Sequence, residues 1–189
     1  MHKILVHSRH TPREKLEKKY PDHHIIDVTS RAEDPWVKFS PFYPHGDIPV
    51  PTWDILTSQS VEGLWQGLKV FEKEGIDLSK LEVTNMKGLK RTVRKYGDVR
   101  GHLAGGEEGE LLSYLEARFQ IYLPAYAWTL EEYCGEELEK LGALAAEKPV
   151  VLLDYETNGD VHNLSKPLSH AWLVSHYLMG SWPTREETD

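Results

Sequence analysis

The sequence predicts an α+β fold, mainly helical with a small β-sheet, forming a single domain over residues 1–180. Three observations carry this. A strand pattern, a helix pattern and a second strand pattern follow one another within the first 28 residues, a spacing that fits a small βαβ unit. Pro149–Asp154 reads Pro-Val-Val-Leu-Leu-Asp, an unbroken apolar run of strand length, as expected of a buried strand. Glu107–Tyr122 and Thr129–Ala146 both carry amphipathic helical periodicity.

Taken in order, His2–His7 reads as a short strand. Pro12–Tyr20 reads as a helix with Thr11 as its cap and Pro12 in its first position, and His24–Val28 as a second strand. Residues 30–58 hold Pro35, Pro41, Pro44, Pro49 and Pro51, which exclude a regular helix or central strand. The same stretch holds Trp36, Phe39, Phe42, Tyr43, His45 and Trp53; these rings are expected to pack on the body or to form rigid pocket walls. Ser60–Lys73 is expected to be helical, capped by Ser58 or Ser60. Lys80–Tyr96 is expected to combine a short extended piece with a basic helix. Gly97, Gly101, Gly105 and Gly106 mark turns, and the two amphipathic helices divide near Pro124. A sheet made of the first two strands and Val150–Asp154 is expected, flanked by helices. Tyr155–Lys166 reads as a polar loop, Pro167–Met179 as a closing helix, and the tail over 181–189 as frayed.

Composition excludes several classes. Apolar residues make up 40% and charged residues 28%, an ordinary globular balance. No apolar run is long enough to span a bilayer. The apolar stretch at the N-terminus is too short for a signal peptide, so a cytoplasmic location without membrane contact is expected. The one cysteine, Cys134, excludes an intramolecular disulfide. It stands among Glu131, Glu132, Glu136 and Glu137, where a thiolate is disfavoured. The net charge is −8, yet Lys80–Arg100 carries seven basic residues. That segment suggests a local anion site, with a solvated helix face as the competing reading. Glycine-rich phosphate loops, dinucleotide fingerprints and nucleophile elbows are absent. His7 and His10 lack the cysteine or histidine partners of a metal site, so no metal and no cofactor are expected. Of the ten histidines, His102 and His170 stand nearest to turns in polar surroundings, where a hydrogen-bonded structural role is the competing reading.

Ser60–Phe71 is the segment that points to chemistry. Read as a helix, it sets Glu62, Gln66 and Lys69 at offsets 0, 4 and 7, on one face. Val61, Leu64, Leu68 and Phe71 form the core face, with Trp65 beside the polar stripe. A lysine amine is a nucleophile when burial lowers its pKa, and a carboxylate two turns away can move a proton. Gln66 between them can hold a hydroxyl. The competing reading is a helix with Glu62 and Lys69 in water.

The segment Phe39-Ser40-Pro41-Phe42, followed by Trp53, the Thr57–Ser60 cluster and Ser60-Val-Glu62-x-x-x-Gln66-x-x-Lys69, resembles the NADAR (NAD- and ADP-ribose-associated, YbiA-like) superfamily, of which the chain would be a divergent member. The resemblance spans roughly Trp36 to Phe71. It implies a NADAR core with a βαβ-like N-terminal extension, and an N-glycosidase that cleaves a ribosyl–base bond. The implied substrate is an ADP-ribosyl or ribosyl-nucleotide compound, with ADP-ribosylated nucleic acid and ribosylamino-pyrimidine metabolites among the candidates. A non-catalytic ADP-ribose-binding module is the alternative. Residue by residue, the resemblance assigns Schiff-base formation to Lys69 and acid/base work to Glu62, with Phe39, Phe42 and Trp65 lining the pocket. Ser40 and Gln66 belong to the same motif. Arg31, Lys90, Arg91 and Arg94 are candidates for phosphate. Asp154, Asn158 and Asp160 follow the buried strand and are candidates for ribose hydroxyls, and His170 is a further candidate for substrate binding. A plain turn is the competing reading for Asn158–Asp160.

Overall fold

The computed structural model describes residues 4–185; His2 of the expected first strand and residues 186–189 of the expected tail lie outside the described residues. The strands are β1 (Ile4–Ser8), β2 (His24–Asp27), β3 (Ile48–Pro49), β4 (Thr57–Ser58), β5 (Lys69–Phe71), β6 (Val99–Ala104), β7 (Glu110–Leu112) and β8 (Val150–Asp154). The helices are α1 (Arg13–Lys19), α2 (Val61–Gly67), α3 (Val93–Tyr96), α4 (Tyr114–Ala117), α5 (Leu123–Tyr133), α6 (Gly135–Glu147) and α7 (His170–Leu178). Two 3-10 turns, Trp36–Phe39 and Leu78–Glu82, and a π turn, Arg118–Tyr122, complete the order. The fold class is α+β. By backbone contacts the chain falls into two compact units: unit 1 is formed by the residues up to Ser40 together with those from Leu130 on, and unit 2 by Pro41–Thr129.

Unit 1 is built on an all-parallel sheet in the order β1-β8-β2. The expected three strands are therefore present, but β1 and β2 do not pair with each other; β8 lies between them. Composition explains the choice. All five residues of β8 are buried, as a parallel strand covered on both faces requires, whereas β1 and β2 are only partly buried and suit the flanks. Val151 and Leu153 pack with Leu16 of α1, joined by Leu5, Tyr20 and Ile25. Side chains alternate along a strand, so Asp154 points to the other face, where it meets the first residues of α7. Helix α1 starts at Arg13, with Pro12 in the cap position and no side-chain cap bond. The turn Trp36–Phe39 packs on β2 and α7, and Lys38 Nζ donates to the buried Glu137 at 2.7 Å.

Unit 2 departs further from the sequence expectations. The helix expected over Ser60–Lys73 stops at Gly67, and Lys69–Phe71 is a strand paired with β6. Gly67 ends the helix by close approach: a Cβ there would lie 2.4 Å from Leu81 Cδ1, and its carbonyl accepts from the Asp77 N–H at 2.7 Å. Val70 and Phe71 then favour extended backbone. The basic helix expected before Tyr96 is a single turn, α3. Glu107–Tyr122 does not form one helix. Gly105 and Gly106, both at positive φ, turn the chain into β7, and α4 starts only after Ser113. That serine accepts from Glu116 N while Glu116 accepts from Ser113 N, a complete capping box. The chain stays helical through Pro124, and the break falls at Cys134 instead. The π turn explains this: Leu123 N–H bonds to Arg118 O, five residues back. The wider turn lies directly before the proline, where the missing donor and the ring would disturb a regular turn.

Candidate functional site

Within unit 2, α2 and β5 bring together the residues singled out by the motif. Ser60 Oγ caps α2 by accepting from Gly63 N at 3.0 Å. Gly63 and Gly67, one turn apart, face the Leu78–Glu82 turn; a Cβ on Gly63 would lie 2.7 Å from the Lys80 carbonyl oxygen. With that face against the turn, Glu62 and Gln66 lie on an adjacent face, and both are buried. Gln66 Nε2 donates to Glu62 Oε1 at 2.9 Å, and Gln66 Oε1 accepts from the Arg91 backbone N–H at 3.0 Å. Gln66 is therefore fixed as an orienting clamp on the carboxylate.

Lys69 reaches the site from β5, not from the helix face. Its amine is half-buried, 5.9 Å from the Trp65 ring centre and 6.0 Å from that of Phe71. Among the described residues it makes no hydrogen bond or ion pair. Burial lowers its pKa below the usual lysine value. The Glu62 carboxylate raises it in part, and the charges of Arg91 and Lys90 lower it further. Lowering the pKa favours the free amine, the form in which a lysine is nucleophilic.

Trp65 stands at the centre of an aromatic group. His102 stacks on it at 3.7 Å between ring centres and 28°, while Tyr114 and Tyr122 meet it edge-on at 5.6 and 5.4 Å. Tyr114 and Tyr122 were not singled out by the sequence reading. Their placement depends on the capped start of α4 and on the π turn, and only the Ser113-x-x-Glu116 box signals either in the sequence.

The phosphate candidates separate. Lys90 is exposed, with Nζ 5.6 Å from the Phe42 ring centre, and so remains a cation beside an aromatic. Arg91 does not present a fork to a ligand. Its terminal nitrogens donate to the carbonyls of Gln66, Lys69 and Gly75 at 3.2, 2.7 and 2.5 Å, and its guanidinium lies over Phe71 and Tyr96. It ties α2 to β5. Arg94 is exposed on α3.

The remaining candidates belong to unit 1. Phe39, fully buried beside Trp36, is a core residue there rather than a pocket wall. Ser40 is buried at the end of the same turn. Arg31 is exposed, its backbone N–H bonded to Thr29 Oγ1. Asp154 Oδ2 accepts from Ser169 Oγ at 2.7 Å and from Ala171 N at 3.2 Å, and meets His170 Nδ1 at 3.0 Å. His170 Nε2 is 2.8 Å from the Val28 carbonyl oxygen. Both imidazole nitrogens thus face oxygen acceptors, the pattern of a charged imidazolium. Burial alone would raise the Asp154 pKa, but the His170 charge and the bonds from His170, Ser169 and Ala171 hold it at about 2. Burial alone would lower the His170 pKa, but Asp154, the Val28 carbonyl and Asp27 raise it. Asp154 and His170 form a buried ion pair. Asn158 is likewise occupied. Its amide donates to the carbonyls of Asn163 and Lys166, and its Oδ1 accepts from Asp160 N. Asp160 is exposed and accepts from His162 N. Cys134 is buried, its thiol pushed up to about 12 chiefly by burial. Among the described residues no group of histidine, cysteine and carboxylate side chains is arranged to hold a metal ion.

The model of a family of unknown function, DUF6939, matches residues 8–174, most of the chain. The chain belongs to DUF6939. No curated protein matches it. The DUF6939 match takes in both the Glu62–Lys69 group and the Asp154–His170 pair. The family's description assigns no chemistry, so the functional argument rests on the geometry.

Proposed function

We propose that this chain is an N-glycosidase that cleaves a ribosyl–base bond through a Schiff base on Lys69, acting on an ADP-ribosyl-type substrate as a divergent NADAR-like enzyme of the cytoplasm. The observation that carries this reading is the half-buried Lys69 amine. It lies over the rings of Trp65 and Phe71 within the field of the Glu62 carboxylate, and burial lowers its pKa.

In the proposed reaction the neutral Lys69 amine attacks the anomeric carbon and the C1′–N bond breaks. Protonated Glu62 gives its proton to the departing base and becomes a carboxylate. That carboxylate takes one proton from the new ammonium nitrogen and passes it to the ring oxygen as the sugar ring opens, leaving a protonated imine on Lys69 and Glu62 again as carboxylate. Water then adds to the imine carbon, the aldose leaves, and the amine is restored. Gln66 holds the Glu62 carboxylate in one orientation throughout. Lys90, exposed beside Phe42, is the cation that would meet a pyrophosphate. A ribosylamino-pyrimidine substrate would use the same steps with a different leaving base.

Borohydride reduction in the presence of ADP-ribosylated base, ADP-ribosylated DNA or a ribosylamino-pyrimidine should trap a sugar adduct, and peptide mass spectrometry should place it on Lys69. Lys69→Ala should give no adduct and no released base; full turnover by that variant would refute the mechanism. Binding of ADP-ribose without turnover, and unaltered in Glu62→Gln, would instead support the binding-module reading.

A further inference from the structure

We propose that His102 is a positioning residue for Lys69: it holds the Trp65 indole against the lysine stem and keeps water from the amine. The inference deepens the reading of Lys69 as a nucleophile and rests on it. Three independent observations support it. The strand register sets His102 of β6 opposite Lys69 of β5, and residues directly opposite in an antiparallel pair bring their Cβ atoms to within roughly 5 Å on one face. The His102 ring is fully buried and lies nearly parallel to Trp65 at 3.7 Å between centres, closer than an edge contact allows. Among the described residues neither ring nitrogen meets strict hydrogen-bond geometry, and the polar group that acts on the ring is the backbone of Trp65 itself.

Burial first, and the Lys69 charge second, hold the His102 pKa at about 3, against a hydrogen bond to the Trp65 backbone that raises it. The ring is thus uncharged throughout the physiological range. An uncharged flat ring at this point adds no positive charge to the amine's surroundings and supplies a face for the indole to stack on. The charged groups acting on Lys69 are Glu62 from α2, and Arg91 and Lys90 from the segment before α3. Tyr114 stands 6.2 Å from the His102 ring. Of these groups, the carboxylate favours the ammonium and the two cations favour the free amine. The packed Trp65–His102 stack excludes the solvent that would otherwise stabilise the ammonium.

Competitive acetylation of the intact protein as a function of pH, read by peptide mass spectrometry, measures the Lys69 amine without any substrate. In the wild type, Lys69 should label with a midpoint below that of the exposed lysines, such as Lys15 and Lys87. His102→Gln removes the stack and should raise the midpoint by roughly one pH unit toward the exposed lysines. His102→Phe keeps a flat uncharged ring and should restore it. Circular dichroism reports whether each variant is folded. Should the phenylalanine ring fail to fit, Trp65→Leu removes the same stack from the other side and should raise the midpoint as His102→Gln does. An unchanged midpoint in folded His102→Gln or Trp65→Leu would overturn the proposal. So would a wild-type Lys69 that labels like an exposed lysine, which would remove the basis of the proposed nucleophile as well. A lowered midpoint that depends on the stack, combined with no trapping on any ribosyl substrate, would uphold the positioning role and reject the glycosidase.

Discussion

Gln66 bridges two groups that burial leaves few alternatives. Its amide donates to the Glu62 carboxylate and its carbonyl oxygen accepts from the Arg91 backbone. Gln66→Leu keeps the volume and leaves a buried carboxylate oxygen and a buried N–H without that partner, a change that costs about 1–3 kcal/mol. Thermal melting should show the loss as a Tm several degrees lower, and activity should fall through misorientation of Glu62. Gln66→Glu should cost more, because it removes the Nε2 donor to Glu62 and sets a second carboxylate beside the first. The identities of these residues were legible in the sequence, and so was the i,i+4 relation of Glu62 and Gln66. The route by which Lys69 joins them was not. Helical offsets and a helix-to-strand junction both bring residue 69 near residue 62, and only the space around Gly67 distinguishes the two.

At the level of elements, α2 is a short helix held by contacts on two sides. Gly63 faces fixed atoms, the Lys80 carbonyl oxygen at 2.7 Å and Ser58 Oγ at 2.9 Å from an added Cβ. Gly67 faces the end of the buried Leu81 side chain, Cδ1 at 2.4 Å, with the nearest backbone atom, the Asp77 carbonyl oxygen, further off at 3.2 Å. Gly63→Ala should therefore destabilise more than Gly67→Ala, by roughly 1–3 kcal/mol against a smaller loss. Urea midpoints of the two variants would check the order, and equal losses would contradict it. The strand β8 was legible because a run of Val and Leu bounded by Pro149 and Asp154 has few other readings. The stretch 107–122 was misread because the same apolar spacing serves a hairpin and a helix, and the Gly105–Gly106 turn and the Ser113 cap decide between them. The π turn left no periodic trace in the sequence at all.

Across the whole molecule, the Asp154–His170 pair makes stability depend on pH from both sides. Asp154 is depressed from 3.8 to about 2. Its contribution, roughly 2 kcal/mol, is present above pH 4 and is lost as the pH falls toward 2. His170 is raised from 6.5, so its contribution is present below pH 6.5 and is lost as the pH rises through its folded value. Urea midpoints should be highest between pH 4 and 6.5 and fall on either side, and Asp154→Asn should lower this plateau and flatten both limbs. Asp154, Asn158, Asp160 and His170 were legible as a polar group after a buried strand. That Asp154 pairs with His170, and Asn158 with the backbone of its own loop, is a matter of geometry that spacing does not carry. Among the described residues no helix is long and apolar enough to cross a membrane. The insertion of β8 between β1 and β2 also bears on the order of assembly. The central strand of unit 1 is separated from its two neighbours by the whole of Pro41–Thr129. During synthesis β1, α1 and β2 would emerge with the strand that joins them still more than a hundred residues away, whereas unit 2 is one uninterrupted stretch. Unit 2 can therefore collapse while the ribosome is still at work. Unit 1 must wait, its two flanking strands unmatched, until residue 154 has left the tunnel.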